Sequence, residues 1–64
     1  MKYTVRIEAL EQSSPTYHEF NSLKDSKKFF SNNKHNWRMY LLPSDALKDE
    51  FTWFEKVIKT HKRN

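Results

Sequence analysis

Glycine and cysteine are both missing from the 64 residues of this chain, and proline occurs only twice. Without glycine there is no standard phosphate-binding loop, dinucleotide fingerprint or nucleophile elbow. Each needs a residue with no Cβ where the backbone approaches a ligand or turns sharply. Without cysteine there is no disulfide framework, which fits a reducing compartment, and the cytoplasm is the expected location. Long apolar runs are absent too: none reaches the roughly 18 residues of a spanning helix. The opening MKYTVRIEAL alternates apolar with polar residues, so neither a membrane segment nor a signal peptide is expected.

Catalytic and metal signatures are equally scarce. His18, His35 and His61 are spread along the chain, none has a helical i, i+4 partner, and no thiolate can join them, so no metal and no cofactor are expected. Glu50 with Glu55, or His18 beside Glu19, can be drawn as acid–base pairs, and a small metal-independent nuclease working through His and Lys can be imagined. Charged surfaces produce such neighbours constantly, however, and the chain is expected to be non-enzymatic, with no catalytic residue.

What is present is aromatic weight and positive charge. Sixteen per cent of the residues are Phe, Trp or Tyr, and the net charge is +4. A chain of this size folds as a single domain, residues 1–64, with one core that buries only about 60% of the unfolded surface. Aromatic packing must carry much of its stability, and association with a partner or a second copy is an open option. The charge is uneven: residues 21–42 hold five lysines or arginines against one acid, whereas residues 43–54 hold three acids against one lysine. Such a balance permits an anionic partner without demanding one. Abundant Lys, Asn and Phe suit an AT-rich genome such as that of a phage or a low-GC bacterium.

The pattern along the chain predicts an α+β domain in the order ββαβα. Tyr3, Val5, Ile7 and Ala9 alternate with Lys2, Thr4, Arg6 and Glu8, the period of a half-buried strand. A polar loop ending at Pro15 leads to a second short strand, Thr16 to Phe20. Ser22 with Asp25 resembles a capping box, opening a helix from about Leu23 to Asn32 whose inner stripe is Leu23, Ser26 and Phe30 with Phe29 at its edge. Asn32 or Asn33 is expected to end it in a left-handed conformation. Residues 36–42 alternate again and stop at Pro43. Ser44 then caps a second helix on whose stripe Leu47, Phe51, Phe54 and Ile58 recur, with Trp53 and Val57 beside them. The expected architecture is a three-stranded antiparallel sheet with both helices packed on one face and the other face free.

That free face would carry Arg6, Glu8, Arg38 and Tyr40, with Tyr17 or His18 according to register. Two uses follow. In the first, the chain is a small regulatory or inhibitory protein of the kind phages and mobile elements encode, docking on a larger cytoplasmic protein or complex. Its anchors would be Arg6, Tyr17, Trp37, Arg38 and Tyr40, because Trp37, Tyr40, Trp53 and Tyr17 are more large aromatics than one small core readily hides. In the second, it is a nucleic-acid-binding module using the helix face of Lys24, Lys27 and Lys28 together with Lys34, Lys59, Lys62 and Arg63. The glycine-bearing motif of the common RNA-binding sheet is absent. The competing explanations are ordinary: lysines on a solvated helix face, and acids at the start and bases at the end of the second helix, as its dipole favours. Sheet extension at an open edge is a third route to a partner.

Overall fold

A computed structural model describes residues 1–34 and 37–63 of the chain. Four strands and one α-helix follow in order: β1 (Tyr3–Glu8), β2 (Thr16–Phe20), α1 (Leu23–Asn32), β3 (Arg38–Pro43) and β4 (Lys59–Lys62), with two 3₁₀ helices, Ser44–Lys48 and Trp53–Lys56, between β3 and β4. The sheet order is β2-β1-β3-β4, and every neighbouring pair is antiparallel. The first two strands and the first helix therefore stand where the sequence places them, while the third strand runs Arg38–Pro43, leaving Trp37 outside it and taking in the proline expected to stop it. Asn36, the expected first residue of the third strand, lies outside the described residues, as does His35.

Strand alternation fixes what each face carries. In β1, Val5 pairs with Leu41 and Ile7 with Met39, and these four side chains are buried on one face together with Phe30 of α1. Tyr3, Phe20, Leu23 and Phe29 pack around that cluster. Because β1 is antiparallel to both β2 and β3, those two strands run parallel on either side of it. The connection between them must return across the sheet, and α1, which touches β1, β2 and β3, is that connection.

The cap of α1 forms at its start, where the Ser22 hydroxyl accepts a hydrogen bond from the Asp25 N–H at 3.1 Å. Its inner stripe is as the periodicity demands: Ser26 and Phe30 are buried, and the Ser26 hydroxyl is satisfied by the Leu23 carbonyl at 2.7 Å. The end of the helix differs from expectation. Asn33 has φ −122°, not a left-handed value. It stops the helix through its side chain, whose Nδ2 donates to the Phe29 carbonyl at 2.8 Å while its backbone N–H bonds to Phe30. No described residue has positive φ.

The carboxy-terminal third overturns the expected architecture. Among the described residues there is one α-helix, not two, and the sheet has four strands, not three. Asp49 is the reason the helical pattern breaks. Its backbone is extended, and its Oδ1 accepts hydrogen bonds from the N–H groups of Phe51 and Thr52 at 3.0 and 3.3 Å. That side chain supplies the turn with an acceptor that a continuous helix would take from the backbone. Beyond the second 3₁₀ helix, Val57 is extended and the Ile58 N–H bonds to the Leu41 carbonyl at 2.7 Å, starting β4 on the open side of β3. Of the stripe Leu47, Phe51, Phe54 and Ile58, only Leu47 is partly buried: Phe51 is 82% exposed and Phe54 60%. Acids and bases at residues 45–63 do not complement a helix dipole, because no single helix joins them.

The face opposite α1 is not left free either. Thr4 and Leu42, paired across β1 and β3, are buried there. The first 3₁₀ helix is tied over them by the Thr4 and Ser44 hydroxyls at 2.6 Å and by the Ser44 N–H on the Lys2 carbonyl at 3.0 Å.

Candidate interaction surface

Across this second face runs a line of aromatic rings joined through one arginine. The pairing of β1 with β2 and β3 sets Arg6 between Tyr17 and Tyr40. Its guanidinium lies 4.7 Å from the Trp53 ring centroid and 5.7 Å from that of Tyr17, and Nη1 donates to the Tyr17 hydroxyl at 3.1 Å. Glu8 holds it from the side, Nε to Oε2 at 3.3 Å. Trp53 meets Tyr40 edge to face at 5.4 Å and Phe54 at 6.2 Å. The track from the edge of the sheet to the 3₁₀ layer is thus Tyr17, Arg6, Trp53 and Phe54, with Tyr40 beneath. Guanidinium–ring contacts and edge-to-face pairs each contribute roughly a kcal/mol when partly desolvated.

Of the residues singled out from the sequence, Arg6, Tyr17 and Tyr40 are brought together here. Trp37 and Arg38 form a second pair, with the Arg38 guanidinium 4.1 Å from the Trp37 ring. Trp37 also walls a groove of about 280 Å³ that runs past Arg6 and Glu8 to the β1–β2 loop at Gln12 and Ser13. The rings that the sequence pattern assigns to a core are exposed instead, Phe54 at the end of this track and Phe51 nearby in the chain. The run Val57, Ile58 and Thr60 was the available signal: β-branched residues so dense disfavour a helix and favour the strand that follows.

The cationic residues are arranged differently. Lys24, Lys27 and Lys28 are exposed along the outer side of α1 and take part in none of the ion pairs among the described residues. Lys34 is exposed just beyond α1, and Lys59 lies on the α1 side of β4, whereas Lys62 points to the opposite face and Arg63 follows the strand. The 3₁₀ layer carries mixed charge with an acidic excess: Asp45, Asp49, Glu50 and Glu55 are exposed alongside Lys48 and Lys56, and Lys48 lies 3.8 Å from Asp45. Asp49 is held below the ordinary carboxylate value by its hydrogen bond from the Thr52 side chain, then by the Phe51 N–H. The helix lysines Lys24, Lys27 and Lys28 therefore lie on the side of the sheet away from the aromatic track, whereas Arg38 and Lys62 share the face of that track.

His18 and Glu19, one of the drawn acid–base pairs, are not brought together. They project from opposite faces of β2, His18 toward Phe29 at 4.8 Å between ring centroids and Glu19 toward Lys2 at 3.3 Å. His61, opposite Met39, has its Nε2 buried without a hydrogen-bond partner. Among the described residues no three His, Cys, Asp or Glu side chains converge as metal ligands, and no helix is long and apolar enough to cross a membrane. No family model matches the chain, and neither a curated protein nor a solved structure matches it.

Proposed function

We propose that this chain is a non-catalytic docking domain that binds a larger protein through the Tyr17–Arg6–Trp53–Phe54 track. The observation that carries the reading is the separation of the aromatic track from the lysine cluster of α1. A platform for single-stranded nucleic acid needs stacking rings and phosphate-binding cations along the same groove. Here the arginine that joins the rings is paired with Glu8, while the helix lysines are on the other side of the sheet. Exposed aromatics anchored by an arginine suit the centre of a protein interface, where such residues carry most of the binding energy. Phe51 and Phe54, exposed next to Trp53, extend the apolar contact beyond what the folded monomer uses.

The test is affinity capture with the tagged chain, with and without nuclease, run beside a Tyr17→Ser, Phe54→Ser variant. Retention of a specific protein that survives nuclease and is lost with the variant supports the reading. Retention indifferent to the variant overturns it.

The unpaired lysines of α1 favour a second reading, nucleic-acid binding through that helix. Binding of this kind falls steeply with added salt through counterion release. It is lost in Lys27→Glu, Lys28→Glu but not in the Tyr17→Ser, Phe54→Ser variant, which separates the two readings.

A further inference from the structure

The two edges of the sheet are chemically unlike. β4 is a four-residue edge that exposes Lys59 and Lys62 and continues into Arg63. Short edges studded with lysine repel a second copy of themselves, a common guard against edge-to-edge pairing. β2 has no such guard. Its Thr16, Tyr17, His18, Glu19 and Phe20 include no lysine, arginine or proline, and the first four are exposed. Threonine, tyrosine and phenylalanine are strong strand formers.

The packing is also unfinished along this edge. On the α1 side, Phe20 and Phe29 are only partly buried, 5.0 Å apart, with the exposed His18 ring leaning on Phe29. On the other side Tyr17, 49% exposed, ends the aromatic track at the sheet margin. A strand added here would cover apolar surface on both faces and satisfy the outer backbone groups of β2.

We infer that the occupant is a second copy of this chain, β2 pairing antiparallel with β2 about a two-fold axis normal to the sheet. Two four-stranded sheets then become one of eight, with both α1 helices on the same face. With the axis on His18, the central residue of β2, Thr16 of each copy faces Phe20 of the other, and Tyr17 faces Glu19. Neither carboxylates nor lysines are opposed, so the edge is compatible with itself in charge, whereas β4 against β4 would set lysines and arginines together. This inference does not depend on the docking reading, because its readout is the mass of the purified chain alone.

The test is sedimentation of the purified full chain from micromolar to millimolar concentration. A reversible doubling of mass is expected, abolished in Thr16→Lys, Glu19→Lys and retained when Lys59 and Lys62 become Thr. Since the chain has no cysteine, single-cysteine variants at Tyr17, His18 and Glu19 give a second, independent reading: the disulfide-linked dimer forms best at His18 under mild oxidation. A monomer at every concentration overturns the inference. So does a dimer untouched by the two lysines, or one with no preference among the cysteine positions. Protection of β2 amides only when a different protein is bound would assign the edge to that partner and also overturn self-pairing.

Discussion

The Arg6 guanidinium stacks 4.7 Å from the Trp53 ring while donating to the Tyr17 hydroxyl at 3.1 Å. One side chain from a central strand thereby joins the edge of the sheet to a 3₁₀ helix far along the chain. Glu8 leaves it little freedom to swing away. Trp53 is thus held between this arginine and the edge of Tyr40, and Phe54 packs on it in turn.

Arg6→Lys keeps the charge but removes the flat, delocalised group that can lie on two rings and donate sideways. The expected cost is about 1 kcal/mol of folding stability, with a shift in Trp53 emission. Urea unfolding and fluorescence in a Trp37→Phe background measure both. Unchanged emission would mean that the stack does not hold Trp53.

Phenylalanines give opposite results by position. Phe30 is 2% exposed, and Phe30→Ala is expected to cost about 3–5 kcal/mol, comparable to the whole stability of a small domain. Phe51→Ala, at 82% exposure, is expected to change stability by no more than about 0.5 kcal/mol. Thermal denaturation of the two variants side by side checks the contrast. A large loss for Phe51→Ala would restore the buried second helix that the sequence pattern suggests.

Asp49 gives a pH dependence. Hydrogen bonds from the Thr52 side chain and the Phe51 N–H favour its ionised form, so its native value lies below the ordinary 3.8. A depressed carboxylate contributes stability that is complete above the unfolded value and is lost as pH falls through the native one. The expected behaviour is no effect at neutral pH and loosening of the 3₁₀ turn in acid below the ordinary value. Following the Asp49 carboxyl carbon by NMR from pH 6 to pH 2 locates its midpoint. A midpoint at or above that of the unfolded chain would show that the turn does not favour the carboxylate.

His61 offers a route to greater stability. Its Nε2 is buried with no partner, opposite Met39 on the α1 side of the sheet. Shielding an unsatisfied polar atom costs about 1–3 kcal/mol, whereas an apolar group of similar shape carries no such penalty. His61→Phe is therefore expected to raise the melting temperature by a few degrees. A lower melting temperature would indicate that the ring nitrogen is hydrated in solution.

The amino-terminal two thirds of the fold were legible because their signals agree with one another. In β1 the alternation, in α1 the Ser22 cap and the inner stripe, and in β3 the return of alternation each match the layer they enter. Residues 44–62 were misread because a helical period and a strand composition overlap there. Leu47, Phe51, Phe54 and Ile58 repeat as a helix would, yet Asp49 captures its own turn, and the β-branched run from Val57 finds an open strand in β3. Neither competing interaction is visible from periodicity, since one is a local side-chain acceptor and the other a long-range pairing. The grouping of Arg6 with Tyr40 followed from alternation, whereas the choice of Tyr17 over His18 depended on the β1–β2 register. The part played by Trp53 did not, because it depends on where the 3₁₀ layer crosses the sheet.

The backbone turns between its elements without a single described residue at positive φ. Every bend among the described residues is thus made in conformations open to any residue bearing a Cβ, and steric need for glycine there imposes no filter on substitution. Mutational libraries at solvent-facing loop positions such as Gln12, Ser13 and Glu50 are expected to tolerate bulky and polar replacements alike. The constraint on such a chain falls on pairing and packing, so its loops can drift far in sequence while the architecture persists.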